Sequence, residues 1–158
     1  MGTYASNTDV PSDKSMAEIR RTLQRWNASQ FMYGEADDRA VVGFIMAGRQ
    51  VKIAIPMPDR NSREFTHTKE RGLRRTNAAQ RDAYEQACRQ RWRALNLVIK
   101  AKLEAVESGI SSFETEFLGH IVLPNGQTVG DAIGDDIKHA YETNEMPALL
   151  PGLKAIEA

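Results

Sequence analysis

Residues 76–109 read TNAAQRDAYEQACRQRWRALNLVIKAKLEAVESG, with no proline and no glycine before Gly109. Tyr84, Cys88, Trp92, Leu95, Ile99 and Val106 recur at steps of three, four or seven, which places them on one stripe of a helix. Thr76 or Asn77 suits the N-cap, Gln80 follows Asn77 by three, and Gly109 suits the close. A helix of roughly 30 residues is about 45 Å long, long for a chain of this size. Leu97 and Leu103 lie beside the main stripe. So much apolar surface on one element needs a sheet or further helices to cover it, and that requirement decides the fold.

Upstream, three short segments alternate as strands do. Gln30–Gly34 is apolar and aromatic, and Asp37-Asp38 makes a polar turn. Ala40–Met46 puts Val42, Phe44 and Met46 on one face and Val41 and Ile45 on the other. Ala47-Gly48-Arg49 is a hairpin connection, and Gln50–Ile55 turns Val51, Ile53 and Ile55 inward. Pro56 and Pro58 end the run because neither can donate to a ladder. The simplest topology is an antiparallel meander with one face on the long helix. Before it, Ser15 and Glu18 have capping-box spacing, so a first helix is expected near Met16, with Ile19, Leu23 and Trp26 as its stripe and Asn27 as its stop.

Downstream, Ser111 and Glu114 repeat the capping-box spacing and predict a short helix with Phe113, Phe117, Leu118 and Ile121 inward. Leu123-Pro124-Asn125-Gly126 is a turn by composition. Thr128 and Asp131 then predict a last helix through about Thr143, with Val129, Ile133, Ile137 and Tyr141 as its stripe. The expected fold is therefore α+β: a three-stranded antiparallel meander packed on one long α-helix, with short flanking helices. The expected organisation is a flexible arm over 1–14, a single domain over 15–145, and an apolar, proline-bounded tail over 146–158 that lies in a groove of its own subunit or of a neighbour.

The composition, 41% hydrophobic and 27% charged, is that of a globular protein, and one cysteine cannot form an internal disulfide. No apolar run reaches the roughly 18 residues of a membrane span, and no secretory leader opens the chain, so a cytoplasmic protein is expected. The net charge of zero hides a division. Residues 60–102 carry twelve basic and four acidic side chains, a net of +8; residues 103–158 carry two basic and ten acidic, a net of −8. Either a basic surface awaits an anionic partner, or the two halves neutralise each other within the fold or between subunits.

No phosphate loop or dinucleotide fingerprint is present, since Gly126, Gly130 and Gly134 follow a turn and not a buried strand. His67, His120 and His139 match no zinc spacing, and Cys88 lies on the apolar stripe as a structural thiol. His120 reads as a core or helix-end residue, and Asp37-Asp38 and Asp135-Asp136 as solvated carboxylates; a metal-dependent enzyme built on Asp135, Asp136 and a histidine is the weakest reading. No catalytic residue, cofactor or metal is assigned.

The concentrated signal is basic. The connection 59–75, without apolar periodicity, and the long helix after it interleave cations with Phe65, His67 and Tyr84. Cations neutralise nucleic-acid phosphates, and flat groups stack on unpaired bases. The expected phosphate contacts are Arg60, Arg63, Lys69, Arg71, Arg74, Arg75, Arg81, Arg89 and Arg93. The competing reading is a solvated helix laced by pairs such as Glu85 with Arg89, or an interaction protein that blocks or scaffolds a protein partner through its acidic C-terminal third.

The order helix, three-stranded meander, basic connection and long helix, over residues 16–108, resembles the β-β-β-α core of the Red-beta-like single-strand annealing proteins. That resemblance implies single-stranded DNA in a basic groove between sheet and helix, repeated around an oligomer. The wording of Gln30-Phe31-Met32-Tyr33-Gly34-Glu35 and Arg91-Trp92-Arg93-Ala94-Leu95 is similar to that of small bacteriophage-encoded proteins, which implies a phage or prophage origin and a host cytoplasm but no activity. With the first resemblance, the expected role is single-stranded DNA binding or annealing in phage DNA metabolism. A homo-oligomer is expected, a dimer before a ring, because a three-stranded sheet has two open edges and the two charged halves are complementary.

Overall fold

The computed structural model of the chain describes residues 10–36 and 38–147. Its order is α1 (Ser12–Arg25), β1 (Ser29–Glu35), β2 (Arg39–Met46), β3 (Arg49–Pro56), α2 (Arg63–Thr66), α3 (Asn77–Glu107), α4 (Phe113–Phe117), a 3₁₀ turn at Leu118–His120, and α5 (Val129–Thr143). The strands form one antiparallel sheet in the order β1-β2-β3. The class is α+β, as the periodicities imply.

The long helix is one piece of 31 residues. Thr76 Oγ1 accepts from the Ala79 amide at 3.2 Å, and Gly109 takes φ +72° beyond the end, where a side chain would be strained. Trp92, Leu95, Ile99 and Leu103 of α3 form the core with Val42 and Phe44 of β2, Val51 and Ile53 of β3, Ile19 and Leu23 of α1, and Phe113 and Phe117 of α4. The buried face sits about one turn further along the helix than the expected stripe. Tyr84, Cys88 and Val106 are only half-buried, while Leu103 is 1% exposed. The sheet spans the C-terminal half of α3, so the first turns of the helix run past it.

Met46 pairs with Arg49 across a two-residue turn in which Ala47 and Gly48 take φ +50° and +70°, the left-handed pair that matches strand twist. A register shift between Ser29 and Met32, with Gln30 at φ +52°, bends β1 at its start. The open edge of β3 is partly closed: the Val122 amide donates to Gln50 O at 2.8 Å, and Ile121 bridges Val51.

Several local expectations are corrected. α1 begins at Ser12, so part of the expected arm is helical; residues 1–9 lie outside the described residues. Ser15 and Glu18 form no capping box. Ser15 is buried inside the helix, its amide donating to Pro11 O, and Glu18 reaches α3 instead. The cap of α4 is Ser112, not Ser111, its Oγ accepting from the Thr115 amide at 3.1 Å. Leu118 is 53% exposed, since the chain tightens into the 3₁₀ turn there and rotates it outward. The Thr128–Asp131 capping box is present in both directions. No residue of α5 is fully buried: its first turns pack on the 3₁₀ turn with Val129 and Ile133 half-buried, while Ile137 and Tyr141 of the predicted stripe are exposed. Of the tail, residues 148–158 lie outside the described residues. Among the described residues, no helix is long and apolar enough to cross a membrane.

Candidate nucleic-acid interface

The connection after β3 is built, not loose. Pro56 and Pro58 stop the ladder, and the Asp59 carboxylate accepts from the Asn61 amide at 2.9 Å to turn the chain into α2. A second turn follows. His67 bridges Arg74, the Thr68 amide donates to Leu73 O at 2.8 Å, the Leu73 amide donates back to Thr68 Oγ1 at 3.1 Å, and Gly72 supplies φ +60°. Arg75 is fixed at both ends, its amide on Thr66 O and its Nε on His67 O, while Gln80 Nε2 holds Arg75 O at 2.8 Å. Residues 57–76 are thus a strap stapled to the start of α3.

A small apolar cluster apart from the main core seats this strap. Phe65 is 3% exposed and meets the Tyr84 ring edge-on at 5.7 Å between centroids, beside buried Ala87. The Arg60 guanidinium lies 4.7 Å from the Tyr84 centroid, a contact of about 0.5–1 kcal/mol where water still reaches it. One α-turn on, Cys88 shares a hydrogen bond with the Tyr84 hydroxyl; burial pushes both the thiol and the phenol above their ordinary values. Cys88 is half-buried and structural in its surroundings.

The nine candidate cations separate into three groups. Arg60, Arg63, Lys69, Arg71 and Arg74 are exposed on the strap, and Arg81 is exposed on the first turns of α3. The Arg63 Nη2 atom comes within 3.7 Å of where a Cβ on Gly72 would sit, so its charge lies over the turn that carries Arg71 and Arg74. Among the described residues no carboxylate pairs with any of these six, nor with half-buried Arg75; the ion pairs found involve Arg39, Arg93, Lys100, Lys102 and Lys138. Arg89 is held by the Gln86 side-chain oxygen at 3.0 and 2.6 Å, and not by Glu85. Arg93 lies elsewhere, on the face of α3 toward α1, committed to Glu18 at 2.8 Å.

Two expected stacking groups change role. Phe65 is buried and the Tyr84 ring already carries Arg60; the exposed apolar side chain of the strap is instead Leu73, 59% exposed at its tip among Arg71 and Arg74. Leu73 had a faint signal, a single leucine in an otherwise polar connection. On the opposite end, half-buried His120 is pushed below its ordinary value by burial first and by Lys102 second. Among the described residues no group of three histidine, cysteine or acidic side chains could hold a metal ion.

Fold and site together define an α+β domain that carries a rigid, unneutralised basic strap beside a long helix. Compared with known proteins, the chain matches no family model, no curated protein and no solved structure.

Proposed function

We propose that the chain binds nucleic acid without catalysis, and that its ligand is single-stranded DNA. The observation that carries this reading is the set of six exposed cations, five on the stapled strap and Arg81 on the first turns of α3, with no carboxylate paired to them among the described residues. Concentrated like charge costs free energy in the unbound protein, and a polyanion relieves it by exchanging its own counterions for fixed guanidinium groups. An unstacked strand suits the site better than a duplex, because the guanidinium planes offer flat surfaces to bases and exposed Leu73 offers them an apolar contact. The element order shared with annealing proteins supports the same choice.

Anisotropy of a labelled single-stranded oligonucleotide, followed across a salt series, tests it. Five to six phosphate contacts should give a slope of about −3.5 to −4 in log K against log salt, at about 0.7 per contact. Arg63→Ala combined with Arg71→Ala should reduce the slope by about 1.4, while Arg25→Ala, at the far end of α1, should leave it unchanged. Absence of binding at low salt, or equal loss from the strap and α1 variants, would refute the reading. Annealing of complementary strands is the companion assay for the finer assignment.

A further inference from the structure

α5 has 15 residues, none of them buried, although Val129, Ile133, Ile137 and Tyr141 make one apolar stripe. Ile137 is 42% exposed, Tyr141 89%, and Met146 just beyond the helix 82%. The helix is anchored by its first turns, where Gly130 lies so close to Gly119 O that an added Cβ would approach to 2.9 Å. A helix of this length is marginal in water without a packed face, so its stripe needs a cover.

A second apolar face is uncovered in the same chain. The register turns Met32 and Gly34 of β1, Val41, Gly43 and Ile45 of β2, and Lys52 and Ala54 of β3 away from the core. Between Met32, Gly34, Val41 and Gly43 lies a trough of about 300 Å³. It exists because two neighbouring positions lack side chains: nothing lies within 4 Å of a Cβ placed on Gly34, and one on Gly43 would meet Met32 Cε at 3.5 Å and Val51 O at 3.8 Å, both ordinary contacts. The strand charges on this face are Arg39, already paired with Asp38, and Lys52, which makes no ion pair among the described residues although its charge acts on Asp131 at the start of α5. α5 is the opposite, with Asp131, Asp135, Asp136 and Glu142 against Lys138, and Asp136 flanks its apolar stripe. Lengths also match: strands of eight residues span about 26 Å and a helix of 15 residues about 22 Å.

The α5 stripe and the trough share no residue; within one chain only the first turn of α5, at Gly130 and Asp131, borders the Val41–Lys52 side of this face, while Ile137 and Tyr141 lie apart from it. We propose that two copies pair reciprocally, α5 of each lying in the Gly34–Gly43 trough of the other, with Ile137 and Tyr141 inward and Asp136 toward Lys52. Each copy supplies both halves of the contact, so a two-fold pair closes with nothing left over. Neither surface includes the basic strap, so this assembly stands or falls apart from the nucleic-acid reading.

The test uses the full chain and light scattering at high micromolar concentration in moderate salt. The wild type should run at twice 17.7 kDa. Gly34→Arg, into open space and at an ordinary φ, should keep the melting transition of a folded monomer and lose the dimer. Ile137→Asp, on an exposed position, should do the same. An equimolar mixture of the two variants should regain a dimer, because the intact α5 of the first fits the intact trough of the second. A monomeric wild type, a dimer that survives either substitution, or a mixture that stays monomeric would each overturn the proposal. The first of these outcomes is also what a cover supplied by residues 148–158 of the same chain would give, and a dimer that survives Gly34→Arg but not Ile137→Asp is what α5-to-α5 pairing would give.

Discussion

Glu18 is the residue on which the helical layer turns. Its Oε2 accepts from Asn96 Nδ2 at 2.7 Å and from Arg93 Nη1 at 2.8 Å, with Lys100 at 3.8 Å, and so ties α1 to the middle of α3. Partial burial acts to raise its carboxyl, but the Asn96 hydrogen bond and the charges of Arg93 and Lys100 outweigh it and hold the value below the ordinary one. A carboxylate depressed in the folded state contributes stability that is present above its unfolded value and is lost as pH falls through the folded value. Glu18→Gln should therefore lower stability by about 1–2 kcal/mol at neutral pH, and the gap to wild type should close below the carboxylate range. Urea melts at several pH values measure this; a gap independent of pH would mean packing, not charge, carries the contact. Glu18 also shows what spacing alone leaves open. Ser15 and Glu18 satisfy a capping pattern, yet a glutamate three residues after a serine serves a distant arginine as readily as a local amide. The sequence holds no record of which partner the tertiary fold brings near, whereas the Thr128–Asp131 box forms as its spacing implies, Lys52 and His120 acting on the Asp131 charge without displacing the local amide.

At the scale of elements, α3 divides into a half that the sheet covers and a half that carries the strap. Its period is legible in the sequence because burial on one face leaves an apolar stripe. How far along that stripe the cover reaches is set by strand length and register, and so Leu103 is core while Tyr84 is not. The strap was invisible as structure for a related reason: its order comes from turns such as Thr68–Leu73 and from the Phe65–Tyr84 contact, neither of which has a period. Since that contact lies outside the main core, the strap and first turns of α3 should open as a separate unit. Tyr84→Ala should speed amide exchange over 62–75 by roughly 10-fold or more, for a loss of about 1.5 kcal/mol, while Trp92, Ile99 and β2 keep their protection. It should also weaken oligonucleotide binding, and Tyr84→Phe should restore both. Unchanged exchange in Tyr84→Ala would show that the backbone hydrogen bonds of the strap suffice without the ring.

The whole molecule has no net charge but is strongly bipolar, +8 over 60–102 and −8 over 103–158. Within the chain the two halves exchange a single ion pair, Lys102 with Glu116 at 3.5 Å, among the described residues. Most of the field is therefore directed outward, and opposite ends of different molecules should attract head to tail. Such attraction acts over about a Debye length, ~30 Å at 0.01 M salt and ~10 Å at 0.1 M. In sedimentation at low salt the average mass should rise with concentration above that of a closed pair and fall back to it as salt is added. An apolar contact between α5 and the trough would survive that salt, so the two modes of association separate along one titration. On the proposed function, an oligonucleotide should compete for the strap with the acidic segment of a second molecule. A single-stranded oligonucleotide added at low salt should therefore disperse the larger species, and neutralising Asp135, Asp136, Glu142 and Glu145 to their amides should tighten oligonucleotide binding several-fold at low salt and hardly at all at high salt. A mass indifferent to salt, or an amide variant that binds no better, would show that the acidic third faces some other partner than the strap.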